Sequence, residues 1–165
     1  LLNMKDIIET LVARAASITE DDPLLQELLK RNAIVKLTEQ SYYATIRPNS
    51  PGGITHSERA ALACRMAKLN HSPHLSTHYA TMVNPVDTDL ADPNKENVGD
   101  ARRTAMVRHT DIVTCSPKDV IDDDISELKT AGLVEADIVR LSELIAFVNY
   151  QVRVVAGLSL MSQFT

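Results

Sequence analysis

Only two cysteines, Cys64 and Cys115, occur in the 165 residues, and neither belongs to a Cys-x-x-Cys pair. Dithiol redox chemistry needs an attacking and a resolving thiol close together, so the pattern excludes that chemistry and offers no disulfide framework. Cys64 lies in the apolar stretch Leu62-Ala-Cys-Arg-Met66 and reads as a buried, inert thiol. Cys115 lies in the polar turn Thr114-Cys-Ser-Pro117, where no sequence neighbour supplies an activating charge. Basic residues are scarce as well. The chain has 17 Lys+Arg against 22 Asp+Glu, a net charge of −5, and no basic run, so the electrostatic footprint of a nucleic-acid binder is missing. The acidic run Asp122-Asp123-Asp124 would repel phosphate and anionic lipid. No apolar run approaches the ~20 residues of a membrane span, and Leu1-Leu-Asn-Met-Lys-Asp6 lacks the charged-then-apolar order of a signal peptide. The expectation is a cytoplasmic chain with neither nucleic acid nor membrane as partner. No flavin, nucleotide or haem motif is present, so no cofactor is expected.

What is there is helix. The length suits one domain, 1–165, able to bury roughly two thirds of its unfolded surface without disulfides or metal. Met4, Ile7, Ile8, Leu11 and Val12 repeat at helical spacing, as do Leu24, Leu25, Leu28 and Leu29, with a less regular continuation to Ile46. Arg47-Pro-Asn-Ser-Pro-Gly-Gly53 breaks the pattern, and Thr55-His-Ser-Glu58 fits a capping box that opens the next helix. Residues 84–99 hold two prolines and several Asp and Asn, the longest irregular stretch, with the composition of a lid, an oligomer contact or a flexible loop. Asp100 then opens a helix that ends before Ser116-Pro117. A short one over Asp122–Thr130 stops at Gly132. The last runs from Glu135 to about Leu160 with Ile138, Leu141, Ile145, Val148, Val152 and Val155 on one face. It is apolar nearly all round between Leu144 and Val148, which argues for burial or a subunit interface. The whole reads as an all-α, single-domain bundle of about six to eight helices.

Two constellations are weighed and set aside. His74 and His78 form an i, i+4 pair of the kind that binds zinc. Pro73, however, places His71 outside their helix, and no third ligand follows, so no metal is expected. The helix–Gly132–helix segment has the outline of a DNA-binding element, but Asp122, Asp123, Asp124, Glu127, Glu135 and Asp137 stand where phosphate contacts require Lys or Arg.

The segment from Ser57-Glu-Arg-Ala60 through Leu69-Asn-His-Ser-Pro-His-Leu-Ser-Thr-His78-Tyr79 resembles the signature helix pair of the carboxymuconolactone decarboxylase and alkylhydroperoxidase D superfamily. The peroxidase branch of that family has a Glu just after a Glu-Arg pair, then Leu-Asn-Gly-Cys-x-x-Cys and a His three residues on. Aligned on Leu69-Asn70, Ala60 takes the place of the Glu, His71 that of the Gly, Ser72 and Leu75 those of the cysteines, and His78 that of the His. Leu128-Lys-Thr-Ala-Gly-Leu133, Leu144-Ile-Ala-Phe-Val-Asn149, Asp6-Ile-Ile-Glu-Thr-Leu11 and Gly52-Gly-Ile-Thr-His-Ser-Glu-Arg59 are similar to further elements of the family, so the resemblance covers nearly the whole chain. It implies an all-helical fold that assembles as trimers or hexamers, with His78 in the place of a proton-relay histidine.

The candidate site is therefore a pocket at His78, with Tyr79, Ser72 and Glu58 contributing polar groups and Arg59 or Arg65 holding a carboxylate. Histidine suits acid–base transfer at neutral pH. Ser72-Pro73 reads as a helix cap and first turn, and Glu58 has a structural role in its capping box. Three functions stay open: proton chemistry on a small organic acid or lactone, a structural or accessory subunit of a peroxidase-related system, and a small-molecule binding module. With Ser72 and Leu75 at the cysteine positions, the protein is expected to show no catalytic turnover of alkyl hydroperoxide with a dithiol reductant. Turnover abolished by Cys64→Ala or Cys115→Ala would overturn that expectation.

Overall fold

The computed structural model describes residues 2–164, and among these every regular element is helical. Nine α-helices follow in order: α1 (Met4–Glu9), α2 (Leu11–Ala15), α3 (Leu24–Lys30), α4 (Asn32–Ile46), α5 (His56–Leu69), α6 (Pro73–Ala80), α7 (Ala101–Cys115), α8 (Asp122–Thr130) and α9 (Glu135–Ser162). Two 3-10 helices, Pro85–Ala91 and Pro117–Asp119, complete the set. The bundle is all-α, as the periodicities imply. The count exceeds eight because short pieces break off at the amino end. The first apolar repeat divides at Thr10, whose extended ψ of 149° ends α1 and opens α2. The second divides at Arg31.

Helix α5 is the axis. Every residue from Ser57 to Ala67 is buried, alanine-rich faces included, so α5 packs against α4, α6, α7, α9 and the first 3-10 helix. Two arginines lie inside this shell. Arg59, 2% exposed, donates from Nε to the Ile54 carbonyl at 3.0 Å and from its two Nη atoms to the carbonyls of Thr45 and Pro51 at 2.8 Å each. Arg65, fully buried, makes a two-pronged ion pair with Asp111 of α7, both bonds 2.6 Å, and donates to the Asp92 and Lys95 carbonyls at 2.6 and 3.0 Å. A buried guanidinium must have all its N–H groups satisfied. Here the satisfying groups are the loops themselves, which are thereby held on α5.

The 84–99 stretch is held the same way. Besides Arg65, Lys68 donates to the Ala91 carbonyl at 2.8 Å, Ser57 Oγ accepts the Asn84 N–H at 2.8 Å, and Arg103 pairs with buried Asp87 at 2.7 Å. The segment is a clamped strap rather than an open loop. Across the bundle, the Gly52-Gly53 turn docks on the start of α9: Gly53 N–H donates to Asp137 at 2.9 Å, and a Cβ on Gly53 would lie 2.1 Å from the Asp137 carboxylate.

Helix α9 is the one described helix long and apolar enough to cross a membrane by length and composition. It packs against α2, α4, α5 and α7 and carries buried Asn149 and Gln151, as a core helix does. Its far end leaves Leu160, Met161 and Phe164 exposed.

Three helices end in the same way. Leu133 N–H reaches the Leu128 carbonyl and Gly132 N–H the Lys129 carbonyl, a Schellman closure with Gly132 at φ +96°. At the end of α5, Ser72 and His71 repeat it onto Ala67 and Lys68, with His71 at φ +54°, and α2 closes likewise through Ser17 at φ +61°. Left-handed backbone costs roughly 1 kcal/mol in a residue with a side chain, so His71 is a strained hinge between α5 and α6.

Removing one partner of a buried ion pair leaves a desolvated charge, at a cost of about 3–5 kcal/mol. Arg65→Ala should therefore lower the unfolding free energy by that order in a urea titration. A loss below ~1 kcal/mol would show that the strap and α7 hold without it.

Candidate functional site

His78 sits in the last turn of α6, half-buried, one residue before fully buried Tyr79. Successive helical side chains point about 100° apart, so Tyr79 faces the core and His78 the boundary. The Tyr79 hydroxyl donates to Oε1 of Gln151, a buried amide on α9. The His78 ring meets Tyr79 edge-on, with centroids 5.4 Å apart.

The hydrogen-bond partner of His78 is none of the expected three. Its Nε2 lies 2.9 Å from the hydroxyl of Tyr42, on α4, and the Tyr42 and Tyr79 rings tilt together at 6.4 Å. Tyr42 is 5% exposed, and its hydroxyl also reaches the Met82 sulfur at 3.7 Å. Burial, then the neighbouring Tyr43 and Glu39, push the Tyr42 phenol up to about 12, so it is a neutral hydroxyl at any physiological pH. Burial, and then the Arg14 cation, hold His78 below the usual histidine range. The imidazole is therefore neutral at pH 7. With Nε2 engaged, its Nδ1 has no hydrogen-bond partner among the described residues.

His78 lines an open cleft of about 290 Å³ together with Leu11, Arg14, Ala15, His74 and Thr77. Arg14 is exposed, and its guanidinium makes no ion pair or hydrogen bond among the described residues. A larger cavity of about 470 Å³ lies beside α7; its one cation, Arg108, is already paired with Glu127, Asp111 is paired with Arg65, and the remaining charged wall, Glu96, is an anion. The cleft at His78 is thus where an unspent cation and a neutral imidazole meet.

The other expected site residues lie elsewhere or do other work. Glu58, 3% exposed, forms the capping box read from the sequence, accepting the Thr55 N–H at 2.9 Å while Thr55 Oγ1 accepts its own N–H at 3.1 Å. Its remaining capacity goes to Arg102 at 2.8 Å and Arg103 at 3.5 Å, and no hydrogen bond joins it to His78. Ser72 occupies the cap position of α6, with ψ 86°, but its hydroxyl makes no capping bond. It lines a neighbouring cavity instead. Arg59 and Arg65 are wholly engaged with carbonyls and Asp111, so neither is free for a ligand; Arg14 is. Among the described residues no three of His, Cys, Asp and Glu come together as a metal site.

Tyr42 and Arg14 have no local trace in the sequence, because Tyr42 bonds His78 across 36 residues and Arg14 approaches it from still farther along the chain. Signals existed nonetheless: Arg14 is the lone charge in Leu11-Val-Ala-Arg-Ala-Ala16, and Gln151 interrupts the apolar face of α9. Compared with known proteins, the chain matches no family model and no curated protein.

His109 resembles His78 electrostatically: it is buried on α7, its Nδ1 has no partner, and burial holds it below the usual range. Both imidazoles take up protons more readily when unfolded, where the reference value is ~6.5. The unfolded state then binds more protons, so stability rises with pH. The thermal midpoint should be flat above pH 7 and fall as pH drops below about 6.5. Replacing both with Gln should flatten the acid limb between pH 6.5 and 5; a limb unaltered by the double variant would assign it to carboxylates.

Proposed function

We propose that this chain is a relative of the carboxymuconolactone decarboxylase and alkylhydroperoxidase D superfamily that lacks the redox Cys-x-x-Cys pair, and that it binds a small organic acid or lactone and moves a proton on it at His78. The observation that supports this best is the His78–Tyr42 bond at the wall of a cleft that also holds an unpaired Arg14. In this reading Arg14 holds the carboxylate or lactone oxygen, a charge-assisted bond of the strong kind. Neutral His78 takes an acidic proton on Nδ1, with Tyr42 Oη holding the ring through Nε2, and later returns it. The transient imidazolium is disfavoured by burial, which favours the return step. Tyr79 and Gln151 lock the turn from behind.

A second reading, a structural or accessory subunit of a peroxidase-related system, is supported by Glu58 being spent in a cap and two ion pairs. A symmetric homo-oligomer belongs to both readings, and the exposed apolar end of α9 supports it.

The discriminating measurement is deuterium uptake from heavy water into a panel of small 2-oxo acids and unsaturated lactones, followed by proton NMR. His78→Ala should lower uptake by ~100-fold or more, within the general acid–base range, at an unchanged thermal midpoint. No uptake by the native protein, or uptake indifferent to the substitution, would leave the structural reading standing.

A further inference from the structure

The cleft at His78 does not end at His74. A second cavity of about 190 Å³ shares Ala15 and His74 as walls with the first and continues past Ser72 to Val152, Val155 and Ala156 on α9. Sites for small organic ligands run from roughly 300 to 1,000 Å³. At about 290 and 190 Å³ each compartment alone falls short of that range, whereas the two joined lie inside it. Their walls differ in chemistry. The first presents Arg14, Thr77 and His78, with the guanidinium unpaired among the described residues; the second has no cation of that kind and sets Val152, Val155 and Ala156 of α9 beside the neutral groups of Asn70, Ser72 and Ser159.

We infer that the joined groove takes an amphipathic monocarboxylate, its carboxylate on Arg14 and its hydrocarbon tail laid past His74 onto α9. This rests on the proton-transfer reading of the same cleft and names the class of acid it accepts. Charge decides the orientation: the second compartment holds no Lys or Arg among its walls, whereas at Arg14 a carboxylate gains a two-pronged, charge-assisted bond. Tail length then sets affinity. Each methylene buried adds roughly fourfold in binding, the equivalent of its transfer free energy, until the groove is filled.

The experiment is a calorimetric titration of the full chain with acetate, butyrate, hexanoate, octanoate and decanoate, and with octanol and octyltrimethylammonium as head-group controls. Affinity should rise by about two- to fourfold per methylene and then level off. Octanoate should bind at least tenfold more tightly than octanol, and the ammonium should not bind. Arg14→Gln should remove the preference of octanoate over octanol, and Ala156→Phe, at an exposed helical position, should flatten the chain-length dependence. Short acids binding through Arg14 with no gain from longer chains would overturn the tail site and leave the proton-transfer reading intact. A length dependence indifferent to Arg14→Gln would overturn the orientation. Binding by none of the acids would overturn the groove assignment together with Arg14 as a carboxylate holder.

Discussion

The arrangement of this bundle depends on the buried guanidinium of Arg65. Helix α5 is enclosed on every side, and a fully buried cation in such a helix is tolerable only where a carboxylate and carbonyls surround it. Asp111 and the carbonyls of Asp92 and Lys95 do so, and in doing so they set how far α7 and the 84–99 strap stand from α5. Arg59 repeats the device one and a half turns earlier for the Arg47–Gly53 connection. Buried ion pairs add little net stability over well-packed apolar residues, while breaking one is costly. The contribution of the two arginines is therefore placement. The driving force comes from the alanine and leucine packing around them.

Placement carries to the site through the turn that ends α5. With α5 held by its arginines, the left-handed His71 sets the direction in which α6 leaves. Helix α6 then puts Tyr79 against Gln151 inside and His78 against Tyr42 at the edge. A strained residue persists only where its surroundings over-determine it. Here the two bonds of the Schellman closure on one side and the buried Tyr79 on the other supply that determination.

Elements were legible where a local rule sufficed. The capping box of Thr55 and Glu58, the limits of α7 and α8, and the long α9 all follow from caps, breakers and periodicity within a turn or two of sequence. The breaks at Thr10 and Arg31 were not legible, since the apolar spacing runs through both and packing decides the interruption. The strap at 84–99 has the composition of a loose loop, yet Pro85 leads into a 3-10 helix and its carbonyls satisfy Arg65 and Lys68 from another helix. The candidate site divides on the same line. His78 was found from its own neighbourhood, whereas Tyr42, Arg14 and Gln151 meet it or its neighbour Tyr79 from α4, α2 and α9. Glu58 keeps the capping role that its local sequence shows, whereas Arg59 and Arg65, candidate carboxylate holders by residue type, are spent on carbonyls and Asp111 that come from distant segments.

The charge of the site runs against that of the molecule. The chain carries −5 overall, yet the cleft presents Arg14 beside two imidazoles, His74 and His78. At physiological ionic strength, charges more than about 8 Å apart on a surface are largely screened. Arg14 acts on a bound anion at contact, where that screening is least. Burial first, and then the same cation, hold His78 below the usual histidine range. A carboxylate bound on Arg14 would offset that effect and raise the proton affinity of His78, so that the imidazole becomes the stronger base once the acid whose proton it takes is in place.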